Sequence, residues 1–187
     1  MVVELAPTET KLITGEELAA MGDIGPCELI EGRIVPMTPT GGEHGRIEVN
    51  IGAELLAYVR SHKLGKVLAG EVGIYTRRNP DTVRGADVLF ISNERYAQKT
   101  SPGFLDVAPD LVVEILSPND SWIEVTQKLR EYFAIGVRLI WVVNPQTHSV
   151  YAYRALTDVR EFTENDNLPG DDVLPGFLVR VAQLFEE

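Results

Sequence analysis

The chain has 187 residues, 44% of them apolar, which suits one compact domain around a single core. Its 17 Lys and Arg stand against 28 Asp and Glu, a net charge of -11. That balance argues against a protein that coats nucleic acid through phosphate contacts alone, because such binding draws on a basic face; any nucleic-acid contact must be local or metal-assisted. No apolar run approaches the roughly 20 residues of a bilayer span, and the start MVVELAPTET has neither a basic nor an apolar leader region, so a cytoplasmic protein without membrane contact is expected.

Residues 1–12 are expected to be a loose lead and 13–187 a single domain. Thr14-Gly15-Glu16-Glu17 has the T-x-x-E form of a capping box and predicts a short helix to about Met21. CELIEGRIVPM reads as a hairpin turning at Glu31-Gly32, with Cys27, the one cysteine, as a small core-filling residue. From Glu43 to His62 the positions Ile47, Ile51, Leu55, Tyr58 and Val59 recur at helical spacing, and Gly65 is read as the stop. KVLAGEVGIYT then reads as a strand, RRNPDTVRG as a polar turn holding Arg77, Arg78 and Arg84, and ADVLFIS as a second strand. Residues 93–106 are a loop with one helical turn.

DLVVEILSPND, from Asp110, carries a nearly continuous apolar run, the mark of a strand covered on both faces. Trp122, Val125, Leu129, Tyr132 and Phe133 then predict an amphipathic helix ending at Gly136, and VRLIWVVNP a further strand. Strand, helix, strand in this succession implies a crossover between parallel strands. YAYR and VREFT read as a meander, and the tail as a last strand or helical turn. The expected architecture is α/β, a mixed sheet flanked by helices.

Chemistry enters with two carboxylates set in apolar strands, Asp87 and Glu114. Such charges are costly unless paired or bound to metal. Two hard oxygen donors suit magnesium, which takes one or two protein carboxylates and fills its octahedron with water and phosphate. Lys128, two turns into the next helix, is placed to add positive charge there. By itself it would read as a solvated lysine paired with Glu124 or Glu131. His44 either faces the site or caps a helix end. Glu71 is either an additional acidic ligand or a partner of Arg84, and Tyr132 reads as a core residue with a satisfied hydroxyl. His62 and His148 form no metal spacing. There is no Gly-rich phosphate loop, CxxC, HExxH or serine-nucleophile order.

Asp87-Val88 in one strand, Glu114 in VVEILSP, Lys128 and Tyr132 in KxxxY spacing, and GVRLIWVVNP resemble the Uma-two family of putative restriction endonucleases, within the PD-(D/E)XK superfamily. The resemblance runs from about Glu28 to the C-terminus and includes ELIEGRIVPM with His44. It implies a restriction-endonuclease-like fold and a magnesium-dependent nuclease, with manganese as a substitute. In it Asp87, Glu114 and the Ile115 backbone carbonyl bind the metal and Lys128 assists catalysis. DNA is the expected substrate, 5′-phosphate ends the expected products, and a homodimer the expected assembly. The chain departs from the family pattern at Leu116, where the superfamily lysine would stand, at Ala86 for proline, at Glu124 for aspartate and at Leu139-Ile140-Trp141 for E-Y-W. A second expectation stays open: a non-cutting module, nucleic-acid-associated or assembling with proteins, that keeps its acids for folding.

Overall fold

The computed structural model describes residues 11–118 and 120–187, so the expected lead lies almost wholly outside the described residues. α1 (Gly15–Ala20) starts at the Thr14 capping box, with Thr14 and Glu17 bonding reciprocally as the spacing predicts. β1 (Cys27–Ile30) and β2 (Arg33–Pro36) form the hairpin, turning through Glu31 and Gly32 at positive φ. α2 (Gly42–His62) buries Ile47, Ile51, Leu55 and Val59. Gly65 does not close it. Lys63 takes the left-handed conformation instead, φ 55, and Gly65 begins β3 (Gly65–Arg77), where a Cβ would meet the Ile91 carbonyl oxygen at 2.0 Å.

β4 (Thr82–Ser92) starts four residues earlier than ADVLFIS suggests. Thr82, Arg84 and Asp87 are buried within it, so the polar TVRG belongs to the sheet and not to a turn. α3 (Asn93–Tyr96) is the single helical turn of the following loop. β5 (Leu111–Ile115), α4 (Trp122–Ile135) and β6 (Leu139–Asn144) follow, with β5 and β6 parallel as the crossover requires. Trp122 departs from the expected apolar face of α4 and is 65% exposed. β7 (Ser149–Ala155) and β8 (Asp158–Phe162) make the meander. The tail supplies both expected forms: a small sheet of β9 (Asn167–Pro169) with β10 (Leu178–Arg180), then α5 (Val181–Leu184).

The main sheet runs β2-β1-β4-β5-β6-β7-β8, with β3 along the other edge of β4. Helices cover both faces. On one, α2 and the tail pack on Val88, Val113, Trp141 and Val150; on the other, Val125, Leu129 and Tyr132 of α4 pack on Leu89, Val112, Ile140 and Val142. This is one α/β domain with a mixed sheet, as expected. Among the described residues no helix is long and apolar enough to cross a membrane.

Candidate active site

The site forms where β4 changes neighbours. β3 pairs along one edge of β4 almost throughout, whereas the other edge is shared end to end, with β1 pairing at Val83 and β5 at Val88–Phe90. Between those strands residues 84–87 have no strand partner on that edge, so side chains and the end of β5 fill the notch. The Glu28 carboxylate accepts from the Gly85 amide at 3.1 Å, and the Asp87 carboxylate accepts from the Ile115 amide at 2.6 Å. Extending the β4–β5 register by one residue sets Asp87 opposite Glu114, which brings the two predicted acids together.

On the far edge, β3 carries a bulge between Ala69 and Val72, with Gly70 at φ 90 and Glu71 at φ 55. The bulge swings Glu71 over Gly85, where an added Cβ would meet Glu71 Oε2 at 2.6 Å. A non-glycine residue held in the left-handed region is strained, and such strain concentrates where a side chain is being aimed. Opposite the bulge β4 twists: Ala86 and Val88, two residues apart, pack in different cores with Asp87 between them.

α4 supplies the cation. Lys128 Nζ donates to Glu114 Oε2 at 2.9 Å and lies 3.3 Å from Glu28 Oε1. It does not pair with Glu124 or Glu131, its helical neighbours. Glu124 closes the Ser121 capping box, and Glu131 grips Arg84 through both carboxylate oxygens at 2.7 and 2.8 Å. Tyr132, one turn beyond Lys128, is fully buried and donates to Glu114 Oε1 at 2.7 Å, so its hydroxyl is satisfied by a site carboxylate. Arg84 also donates to Glu28 at 2.7 Å, which rules out the Glu71–Arg84 pairing. His44 faces the site; the N-cap of α2 is Gly41, without a side-chain cap bond. Its Nε2 donates to the Ile115 carbonyl at 3.2 Å and sits 3.5 Å from Asp87 Oδ1, while Nδ1 is buried without a partner.

These surroundings shift the titrations. Burial pushes Glu114 up to about 7, helped by Asp87 and opposed by Lys128 and Tyr132. Burial likewise lifts Glu71 to about 7, with Asp87 the next cause. Burial works to lower the Lys128 ammonium, but Glu114 and Glu28 outweigh it and hold the value well above the usual lysine range. The partners thus move differently: Lys128 answers to several carboxylates and stays charged, whereas Glu114 bears burial and the repulsion of Asp87. The hydrogen bond to Asp87 raises His44 against the opposing effect of burial, and burial raises Glu48.

A pH dependence follows. Groups whose folded values lie above their unfolded ones bind extra protons in the folded state, so their stabilisation is full below the unfolded value and lost as pH rises through the folded one. For Glu114 and Glu71 that window runs from about 4.5 to about 7, and His44 acts with the same sign from 6.5 upward. Glu131 and Glu16 are lowered and stay ionised across it. The melting temperature in EDTA should therefore fall between pH 5.5 and pH 8, and Glu71→Gln should flatten the fall. A melting temperature that rises across this range contradicts the assignment.

The donor set fits a hard divalent cation. Asp87 and Glu114 face one notch, the Ile115 carbonyl lies at the same strand end, and burial together with Asp87 raises Glu114, a cost that a bound cation would relieve. No group of three His, Cys, Asp or Glu side chains with metal-holding geometry occurs among the described residues, which leaves two carboxylates and a backbone oxygen. The sequence reading passes over Glu28, although it bears the same signal as Asp87, a carboxylate in the apolar run CELI.

Residues 16–182 match the model of the Uma2 family, described as "Putative restriction endonuclease". The chain belongs to this family. The match covers nearly all the elements above, and the nuclease character it carries agrees with the acids and lysine gathered in the notch. The fold of this Uma2 chain is similar to a crystal structure described as a putative nuclease belonging to DUF820 from Anabaena variabilis ATCC 29413. That likeness has a TM-score of 0.76 and 21% identity, and covers 92% of this chain and 97% of that one. No curated protein matches the chain.

Proposed function

We propose that this Uma2 chain is a magnesium-dependent endonuclease that hydrolyses phosphodiesters of DNA, with manganese able to substitute. The observation that carries the reading is the reach of Lys128, which leaves both helical carboxylates within its range and bonds Glu114 across the notch. A purely structural lysine on α4 would have cheaper partners.

Asp87, Glu114 and the Ile115 carbonyl would hold the ion. When bound, magnesium would supply Lewis acidity and lower the pKa of a water it holds. Asp87 is oriented by the Ile115 amide, and Glu114 by Lys128 and Tyr132, so both acids are fixed beforehand. Lys128 stays protonated at neutral pH and therefore acts as a charge and a donor, not as a base. In this reading it would stabilise negative charge developing on phosphate, a contribution of about 10² to 10³ in rate for a preorganised group. Tyr132 keeps its proton through burial and the neighbouring Glu114 charge, and positions that carboxylate. Cutting both strands with one site per chain calls for two copies, so a cytoplasmic homodimer acting on DNA completes the proposal.

Scanning fluorimetry tests the metal site. At about 100 times the dissociation constant, ligand linkage adds about 2.7 kcal/mol, and at roughly 2–4 °C per kcal/mol the parent should melt about 5–10 °C higher in magnesium or manganese. Asp87→Ala should lose the shift. No response of the parent at millimolar metal would favour a non-cutting module.

A further inference from the structure

A groove of about 350 Å³ opens beside the notch, between the start of α2, the β5–α4 connection and the β6–β7 turn. His44 belongs to both: it lines the groove and contacts Asp87 and the Ile115 carbonyl. The groove is thus continuous with the place where a scissile phosphate would lie. Its apolar wall is Trp122, with Pro118 and Pro145. Trp122 occupies the first turn of α4, where helical spacing assigns it to the core, yet it is 65% exposed, so packing does not account for it. Asn144 and Gln146 line it as well; Asn144 Oδ1 accepts from the Gln146 backbone amide at 3.0 Å, which leaves the Asn144 NH2 and the Gln146 side-chain amide without a partner in that contact. Among the described residues no lysine or arginine lines the groove, and Glu43 and Asp120 do, so its walls repel a phosphate.

We infer that this groove is a nucleobase subsite, in which one unpaired base next to the cleaved bond stacks on Trp122 while the Asn144 and Gln146 side chains meet its edge. An uncharged, flat, hydrogen-bonding ligand is what an aromatic face with amides and no cations accepts, and base–aromatic stacking tolerates any base. A base paired inside a duplex has no free face to offer, so a duplex must open locally at the cleaved bond to fill this subsite, whereas a single strand fills it without that cost. This assignment rests on the nuclease reading of the notch, because the notch places the phosphate.

The test measures binding without cleavage, with full-length Glu114→Gln in EDTA and a single-stranded oligonucleotide or the matching duplex as the probe. The chain has two tryptophans, and Trp141 is fully buried, so changes in emission on binding report Trp122. The single strand should quench that emission and bind more tightly than the duplex. Adding Trp122→Ala, at an exposed position that leaves the melt unchanged, should weaken single-strand binding about 5- to 150-fold and abolish the quench, whereas Trp122→Phe should keep most of the affinity. Equal binding of both probes without quenching, or unchanged affinity in Trp122→Ala, overturns the subsite. So does loss of a dimer in Trp122→Ala with oligonucleotide binding intact, which assigns the groove to a second copy of the chain. Binding as described, in a parent protein that cuts nothing in magnesium, would leave the subsite standing and remove the nuclease reading.

Discussion

Replacing Lys128 with alanine should cut turnover by about 10² or more, the range typical of a positioned catalytic charge, while magnesium still raises the melting temperature. The ammonium bonds Glu114 and stays charged, so its loss removes a fixed positive charge without removing a metal-binding oxygen. Lys128→Arg should recover little, because a planar guanidinium cannot occupy the place of a compact ammonium between Glu114 and Glu28. The metal-free variant should also melt lower, since Glu114 loses the cation it bonds whereas Glu28 retains Arg84. Leu116 offers the complementary test. It stands two residues after Glu114 and packs against the α4 side of the sheet, so a lysine there would approach the notch from the strand. Leu116→Lys combined with Lys128→Ala should regain part of the activity, provided the lost packing, roughly 2–5 kcal/mol, leaves the domain folded. Cleavage by Lys128→Ala at the parent rate would show that Lys128 has no catalytic part.

Arg84→Met should cost the most stability. Arg84 and Glu28 are each almost wholly buried, and Arg84 holds Glu28 through one nitrogen and Glu131 through two. Removing the shared cation strands two carboxylates, a loss of about 3–5 kcal/mol, or roughly 6–20 °C in the melt of a domain this size. The effect should sit at the lower end, because Lys128 remains 3.3 Å from Glu28. Replacing all three groups together, Arg84→Met with Glu28→Gln and Glu131→Leu, should recover much of the loss, since no buried charge then lacks a partner. Thermal melts at fixed pH decide it. A melt of Arg84→Met within 1 °C of the parent would mean that the network carries no net stabilisation.

How legible these groups are in the sequence depends on where their partners lie. The helices, the hairpin and the parallel β5–β6 pair follow from periodicity and capping, which are local. Asp87 and Glu114 stand out because a charge inside an apolar strand is conspicuous, and the register sets them together. Arg84 is hidden by its neighbours: in RRNPDTVRG it reads as a turn residue, and what buries it is Glu28, 56 positions away, with Glu131, 47 positions away. Glu71 depends on a bulge at Gly70 that no alternation pattern shows, so its aim over Gly85 emerges only from the strand pairing. Trp122 fails in the other direction. Its spacing matches the core face, but it stands one position beyond the cap, where the helix has already passed the edge of the sheet core.

Cleavage itself bears on the site most directly. Purified parent protein and Glu114→Gln are incubated with supercoiled, linear and single-stranded DNA in magnesium, manganese or EDTA. The parent should cut in either metal and be silent in EDTA, leaving 5′-phosphate ends, and Glu114→Gln, with the same circular dichroism, should cut nothing. Cleavage by Glu114→Gln at the parent rate, or no cleavage of any of the three by a folded parent in both metals, would contradict the assignment of Asp87, Glu114 and Lys128 as a nuclease centre.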